Sequence, residues 1–187
     1  MARSTCRDVL VVLGTAAAIC AQAGCSGKDP YRPGESIGAF HVTAKLTSTS
    51  CGKTPDPWSF DVRLRHDKTT LYWVQGDAPI SGLVDPSAHA ILKATATQTL
   101  RAADPRNQFA ACGMARADVL DLVLAPLPKP AVDLQPVTSF TGTLTYRFTA
   151  TDGSDCEDQL TASGGDFDVL PCDVQYELEG LRTGDVK

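Results

Sequence analysis

The sequence predicts an all-β domain of about eight mostly antiparallel strands, forming either a small up-and-down barrel or a two-sheet sandwich cross-linked by two disulfides. Three observations lead to this fold class. Apolar and polar residues alternate strictly at both ends of the folded part. The length of 187 residues suits one ordinary domain. Four cysteines in the predicted domain can form two disulfides.

The clearest strands are four segments in which apolar and polar residues alternate without interruption: 40–47, 58–65, 140–149 and 174–179. Strict alternation indicates a strand with one buried face and one face in water. Because these segments come from both ends of the domain, the whole domain is predicted to be β and largely antiparallel.

The middle of the chain is less regular. Segments 69–74 and 80–84 have the composition of strands. A further strand is indicated by three leucines that share one face with an acidic residue: Leu120, Leu122, Leu124 and Asp118.

Residues 88–100 are compatible with a helix or a strand. Asp85-Pro86 is a typical helix start, and the alanines that follow suit a helix. Segment 93–99 instead alternates and is rich in threonine, a β-branched residue that forms helices poorly. We therefore predict a strand, preceded by a turn at residues 85–87. Segment 127–136, with three prolines, is predicted to be a loop or a polyproline stretch.

The N-terminal segment has the organisation of a secretory signal. Arg3 and Arg7 supply positive charge, Val9–Ala21 is an uncharged apolar run of 13 residues, and small residues follow. This run is shorter than the about 20 residues that a membrane-spanning helix needs. Residues 1–24 are thus expected to direct export, and not to belong to the fold.

The motif Ala23-Gly24-Cys25 resembles the lipobox of bacterial lipoproteins, where small residues precede a cysteine that receives diacylglycerol. The resemblance covers only the first 25 residues, and Gln22 departs from the family's usual apolar residue. It implies that Cys25 becomes the lipidated first residue. Because Ser26 follows, and not aspartate, the resemblance also implies the outer membrane of the cell envelope sooner than the inner membrane.

The mature chain is expected to have two parts. Residues 25–37 would form the lipidated cysteine and a flexible tether, because they contain prolines and show no hydrophobic period. Residues 38–187 would form a single β domain.

Four cysteines belong to the predicted domain: Cys51, Cys112, Cys156 and Cys172. In an exported domain they indicate two disulfides with three possible connectivities. No pair has the C-x-x-C spacing of zinc ribbons or thioredoxins. Cys156 and Cys172 flank the loop of the last predicted hairpin. We therefore expect the pairs Cys156–Cys172 and Cys51–Cys112.

Candidate catalytic and metal-binding residues are few. Ser36 lies in a G-x-S-x-G pattern at 34–38, but a nucleophile elbow needs a strand before the serine and a helix after it. His41, His66 and His89 show no metal-ligand spacing. The acidic segment 152–158 offers carboxylates of the kind that bind Ca²⁺: Asp152, Asp155, Glu157 and Asp158. These carboxylates match no known calcium motif, so we predict neither a metal, a cofactor nor a catalytic residue.

The functional expectation rests on charge and on the aromatic residues. A net charge of −5 does not suit a nucleic-acid partner. Trp58, Tyr72 and Trp73 would either line a ligand cavity or fill the core. We expect a non-catalytic binding or interaction module, anchored to the membrane by its N-terminal lipid, whose partner is a small lipophilic ligand or an envelope protein. The alternatives are a purely structural envelope lipoprotein and an envelope hydrolase.

Overall fold

A computed structural model describes residues 31–76, 78–106, 109–126 and 133–184. The predictions for the signal segment, for Cys25 and for most of the proline-rich loop fall outside these residues. The described part contains eight strands: β1 (Glu35–Thr49), β2 (Trp58–Asp67), β3 (Thr70–Val74), β4 (Ile80–Val84), β5 (His89–Arg101), β6 (Cys112–Ala125), β7 (Ser139–Ala150) and β8 (Cys172–Gly184). Two 3-10 turns, Glu157–Gln159 and Thr161–Ser163, lie between β7 and β8.

The strands form one closed antiparallel barrel in sequence order, and β1 pairs with β8 to close it. Inner-face residues meet across the ladders, as in the pairs Phe40–Val62, Ala44–Leu178 and Leu120–Leu144. The predicted all-β class is confirmed, and of the two predicted architectures the structure has the barrel. Residues 89–100 belong to β5, so the strand prediction is confirmed there, and Ala88 is part of the preceding turn.

A turn centred on Asp85 separates β4 from β5. Its Oδ1 accepts hydrogen bonds from the backbone N–H groups of Ser87 and His89, at 2.8 and 3.0 Å. The Ser87 hydroxyl also donates to this oxygen at 2.6 Å and is the main reason that the pKa of Asp85 lies below its usual range. These bonds satisfy backbone donors within the turn and stabilise it.

The domain begins earlier than the sequence suggests. We expected the tether to extend to residue 37, whereas β1 starts at Glu35 and Ile37 is fully buried. The Arg65 side chain also donates to the carbonyls of Pro33 and Gly34, at 2.9 and 2.6 Å. A register shift between Ser36 and Gly38 interrupts the alternation at this point. The predicted boundary is wrong because a bulge hides the first residues of the strand.

The two ends of the barrel differ. The tether end, where β1 begins, is closed by Leu134 and Val137 from the loop before β7, and both are buried in the core. The disulfide end carries the loops that follow β1, β3, β5 and β7. Here β3 and β4 have only five residues each, whereas β5 and β6 have 13 and 14. At this end the barrel wall is therefore shorter at β3 and β4 than at β5 and β6.

The disulfides link Cys51 to Cys172 and Cys112 to Cys156. The predicted pairs, Cys156–Cys172 and Cys51–Cys112, are wrong. Barrel closure is the physical reason for the first observed bond, because the β1–β8 ladder continues through the bond from Ser50 N–H to the Asp173 carbonyl at 2.9 Å. The extended ladder places Cys51 beside Cys172.

The second disulfide follows another pair of neighbouring strands. The Thr151 N–H donates to the Gly113 carbonyl at 2.9 Å and extends the β6–β7 ladder toward Cys156. Each disulfide thus links the start of one strand to the loop that follows its hydrogen-bonded neighbour: Cys172 on β8 to Cys51 after β1, and Cys112 on β6 to Cys156 after β7. The hairpin between β7 and β8 is not cross-linked.

Candidate functional site

A cavity of about 400 Å³ opens at the disulfide end, beside the short strands. We call it the mouth groove. Its lining comes from β3, the start of β4 and the connection before it, β5, β6 and β7, and includes Trp73, Ile80, Ala94, Ala96, Arg116, Asp118, Leu120, Leu144 and Tyr146. Its volume lies within the roughly 300–1,000 Å³ typical of ligand pockets.

Strand length and side-chain size together form the mouth groove. The pairs between β4 and β5 end at Gly82–Leu92, so the inner face of β5 beyond this point has no β4 partner. The inner positions that follow on β5 carry small side chains, Ala94 and Ala96. The floor, in contrast, is filled by the buried side chains of Leu120 and Leu144.

The inner face of β6 carries an ion pair at the mouth groove. The Arg116 guanidinium donates to both carboxylate oxygens of Asp118, from Nε to Oδ1 at 2.8 Å and from Nη2 to Oδ2 at 2.9 Å. The Asp118 side chain is 7% exposed, whereas that of Arg116 is 48% exposed. A buried carboxylate requires such compensation, and the bidentate arrangement supplies it.

The ring of Tyr146, on β7, packs against this ion pair. The Arg116 guanidinium lies 5.1 Å from the centre of the Tyr146 ring, at the distance of a cation–π contact. Tyr146 is paired with Asp118 across the β6–β7 ladder. Burial, and then the Asp118 carboxylate, raise the pKa of the Tyr146 phenol to about 12.

This raised pKa predicts how stability depends on alkaline pH. The pKa of Tyr146 rises from its ordinary 10.0 to about 12 on folding, so its contribution to stability is complete below pH 10.0 and is lost as the pH rises through about 12. We expect Tyr146→Phe to lessen the loss of stability above pH 10.0. Urea unfolding of both proteins at a series of alkaline pH values measures this, and equal losses would contradict the assignment.

A second compartment adjoins the mouth groove on the side of the β5–β6 loop. It has a volume of about 400 Å³ and shares Ala96 and Arg116 with the first. Leu100, Met114 and Phe148 give it mainly apolar walls. Arg116 therefore lies between the mouth groove, whose lining is partly polar, and a mainly apolar compartment.

The sequence-predicted catalytic candidates lie elsewhere. Ser36 is part of β1 near the tether end, where its carbonyl accepts a hydrogen bond from Gln135 Nε2 at 2.9 Å. His41 hydrogen-bonds to Asp61 at 2.9 Å, and His89 to Asp121 at 2.6 Å. Within the described ranges, no serine, threonine or cysteine side chain hydrogen-bonds to a histidine ring.

The acidic candidates for Ca²⁺ surround the second disulfide. Asp158 forms an ion pair with Arg101 at 2.7 Å, and Asp155 Oδ1 accepts from the Glu157 N–H at 3.2 Å. Asp152 is exposed. In the part of the chain that the structure describes, no group of three or more His, Cys, Asp or Glu residues is arranged to hold a metal ion.

The aromatic residues take separate positions. Trp73 belongs to the buried core and also lines the mouth groove. Trp58 is half-buried and packs on Phe60, with ring centres 4.4 Å apart. Tyr72 alternates with Trp73 and lies on the outer face of β3. Only one of the three aromatics named by the sequence analysis therefore reaches the site.

Arg116 and Tyr146 are the residues that sequence reasoning missed. A signal was present: in segment 114–124 the inner positions read Met, Arg, Asp, Leu, Leu, Leu. Two adjacent charged residues on the otherwise apolar face of a strand indicate a polar site within an apolar cavity.

The fold and site together define an eight-stranded antiparallel barrel with an ion pair in an open mouth. Comparison of the chain with protein-family models, with curated proteins and with solved structures gave no match. Among the described residues, no helix is long and apolar enough to cross a membrane.

Proposed function

We propose that this protein is a lipid-anchored envelope protein that binds a small, largely apolar ligand in the mouth groove. The observation that carries the proposal is the Arg116–Asp118 pair, with its carboxylate buried and its guanidinium half exposed, in an open cavity that also has apolar walls. An ion pair with a buried member contributes little to stability in comparison with apolar residues of similar size. Polar groups that converge in an apolar cleft are instead typical of binding sites.

Two features support the envelope as the location. The Ala23-Gly24-Cys25 motif resembles a lipobox, and the two disulfides suit an oxidising compartment. The anchor would precede β1, which begins at the tether end. The mouth groove lies at the opposite end of the barrel, so an anchored barrel would leave it accessible from outside the membrane.

The first test fills the mouth groove. Ala96→Trp places a large ring at a position that lines both compartments. We expect it to weaken binding of the neutral dye Nile red at least about tenfold, as measured by fluorescence titration. Ile91→Trp is the matched control, because Ile91 is an exposed residue on the outer face of the same strand. Equal affinities in the two variants would show that the dye binds elsewhere.

The second test concerns the anchor. In bacteria that process lipoproteins, metabolic labelling with palmitate is expected to mark the protein, because acyl chains would be attached at Cys25. Stable attachment to the membrane requires more than one such chain. Cys25→Ser is expected to abolish the label and to release the barrel from the membrane fraction. Retention of the label in this variant would refute the lipid anchor, and it would leave the binding proposal unaffected.

A further inference from the structure

We propose that the ligand of the mouth groove is a single-chain amphiphile with a monoanionic carboxylate head, which is bound by the free edge of the Arg116 guanidinium. This inference rests on the proposed function and specifies the chemistry of its ligand. Four features of the site lead to it.

The first feature is the unused side of the guanidinium. Asp118 takes the Nε hydrogen and one Nη2 hydrogen. The two Nη1 hydrogens and the second Nη2 hydrogen remain, and they form no hydrogen bond to a described residue. This edge has the fork geometry that matches a carboxylate, and about half of the side chain is open to solvent.

The second feature is that the guanidinium is already held in place. Asp118 fixes its inner edge, and the Tyr146 ring lies against its face. Arginine has a long side chain, and immobilising one on binding costs conformational entropy. Because Arg116 is ordered by its neighbours, an incoming carboxylate avoids most of this cost.

The third feature is the sign and size of the charge. Among the described residues that line the two compartments, only Arg116 and Asp118 are charged. A cationic head would be repelled by the exposed guanidinium, and both oxygens of the Asp118 carboxylate already accept hydrogen bonds from Arg116. A dianionic head would bring a second charge for which the lining has no partner. A single carboxylate fits this arrangement best.

The fourth feature is the apolar surface beside the guanidinium. Trp73, Leu120 and Leu144 form the floor, and the Ala94 and Ala96 methyl groups form one side. The floor residues are already buried, so an alkyl chain extending from a carboxylate at Arg116 would lie on them and remove from water its own surface and the exposed surface of Ala96 and Leu100. The polar head and apolar body of the ligand thus match adjacent parts of one cavity.

Isothermal titration calorimetry of the full chain carrying Cys25→Ser tests the head group. The probes are decanoate, decanol, decylamine and decyl phosphate, which share one chain length and differ in charge. We expect decanoate to bind about tenfold tighter than decanol, and decylamine and decyl phosphate to bind more weakly than decanoate. Equal affinities for decanoate and decanol, or a preference for decylamine, would overturn the inference.

Two variants separate the roles of the charges. In Asp118→Asn the amide oxygen can still accept a hydrogen bond from Arg116, and the Tyr146 ring still lies against the guanidinium, so the side chain stays positioned while its counter-charge is lost. Decanoate should therefore bind at least about threefold tighter. In Arg116→Gln with Asp118→Asn both charges are gone and no buried carboxylate is left unpaired, so the preference for decanoate over decanol should disappear. Weaker decanoate binding in Asp118→Asn, in a protein that remains folded by circular dichroism, would contradict the assigned role of Arg116.

Nile red separates failure of this inference from failure of the proposed function. If the dye binds and is displaced equally by decanol and decanoate, the mouth groove is a binding site with no charge preference, and only the carboxylate inference fails. If neither the dye nor any decyl probe binds, both proposals fail together.

Discussion

Phe140→Ala is expected to lower the free energy of unfolding by about 3–5 kcal/mol. The Phe140 ring is buried, and the rings of Phe40 and Trp73 each lie 5.6 Å from its centre. Gly180 on β8 has no room for a Cβ atom because this ring occupies the space. Removing the ring leaves a cavity where β1, β3, β7 and β8 meet, and urea denaturation measures the loss.

Phe109→Ala is the matched control for this substitution. Phe109 is 55% exposed at the disulfide end, and its removal should cost less than about 1 kcal/mol. A loss at Phe140 no larger than the loss at Phe109 would show that the barrel interior is not packed around Phe140.

Removal of the Cys51–Cys172 disulfide is expected to have the largest effect of any disulfide change. This bond spans 121 residues, and the chain-entropy relation gives a stabilisation of about 5 kcal/mol. The Cys112–Cys156 bond spans 44 residues, for which the same relation gives about 4 kcal/mol. The variants to compare are Cys51→Ala with Cys172→Ala and Cys112→Ala with Cys156→Ala.

The measurement is the unfolding free energy of both double variants in the absence of reductant. Each should fall well below the parent protein, and the variant without the Cys51–Cys172 bond should fall further. The reverse order would show that chain entropy does not determine the effect. Peptide mapping of the unreduced parent should recover residue 51 linked to residue 172, and recovery of the 156–172 link would contradict the strand order of the barrel.

The sequence predicted the strands well because alternation reports directly on one buried face. It predicted neither barrel closure nor the disulfide pairing. Residues 40–47 and 174–179 alternate in the same way whether their strands meet or lie in separate sheets. Once β1 is known to pair with β8, the proximity of Cys51 and Cys172 follows from the register. The disulfide pairs were predicted wrongly because strand alternation carries no information on which distant strands are neighbours. The local structure around the cysteines was not the cause.

The mouth groove could not be predicted in full from the sequence, for a related reason. It depends on the difference in length between β3–β4 and β5–β6, and on which face of β6 points inward. Arg116 shares the face of Asp118 and the leucines by alternation alone, whereas Tyr146 joins them only when β6 and β7 are in register. The start of β1 was missed because the bulge near Gly38 breaks the alternation that would have revealed Ile37.

Residue-resolved NMR of the barrel titrated with decanoate tests the central claim most directly. The account predicts that the methyl signals of Ala94 and Ala96 and the side-chain N–H signals of Arg116 shift together and saturate. The methyl signals of Ala88 and Ala90, which are buried beyond the groove toward the tether end, should stay in place. Shifts confined to the tether end or to the outer face, with Arg116 unmoved, would contradict the account.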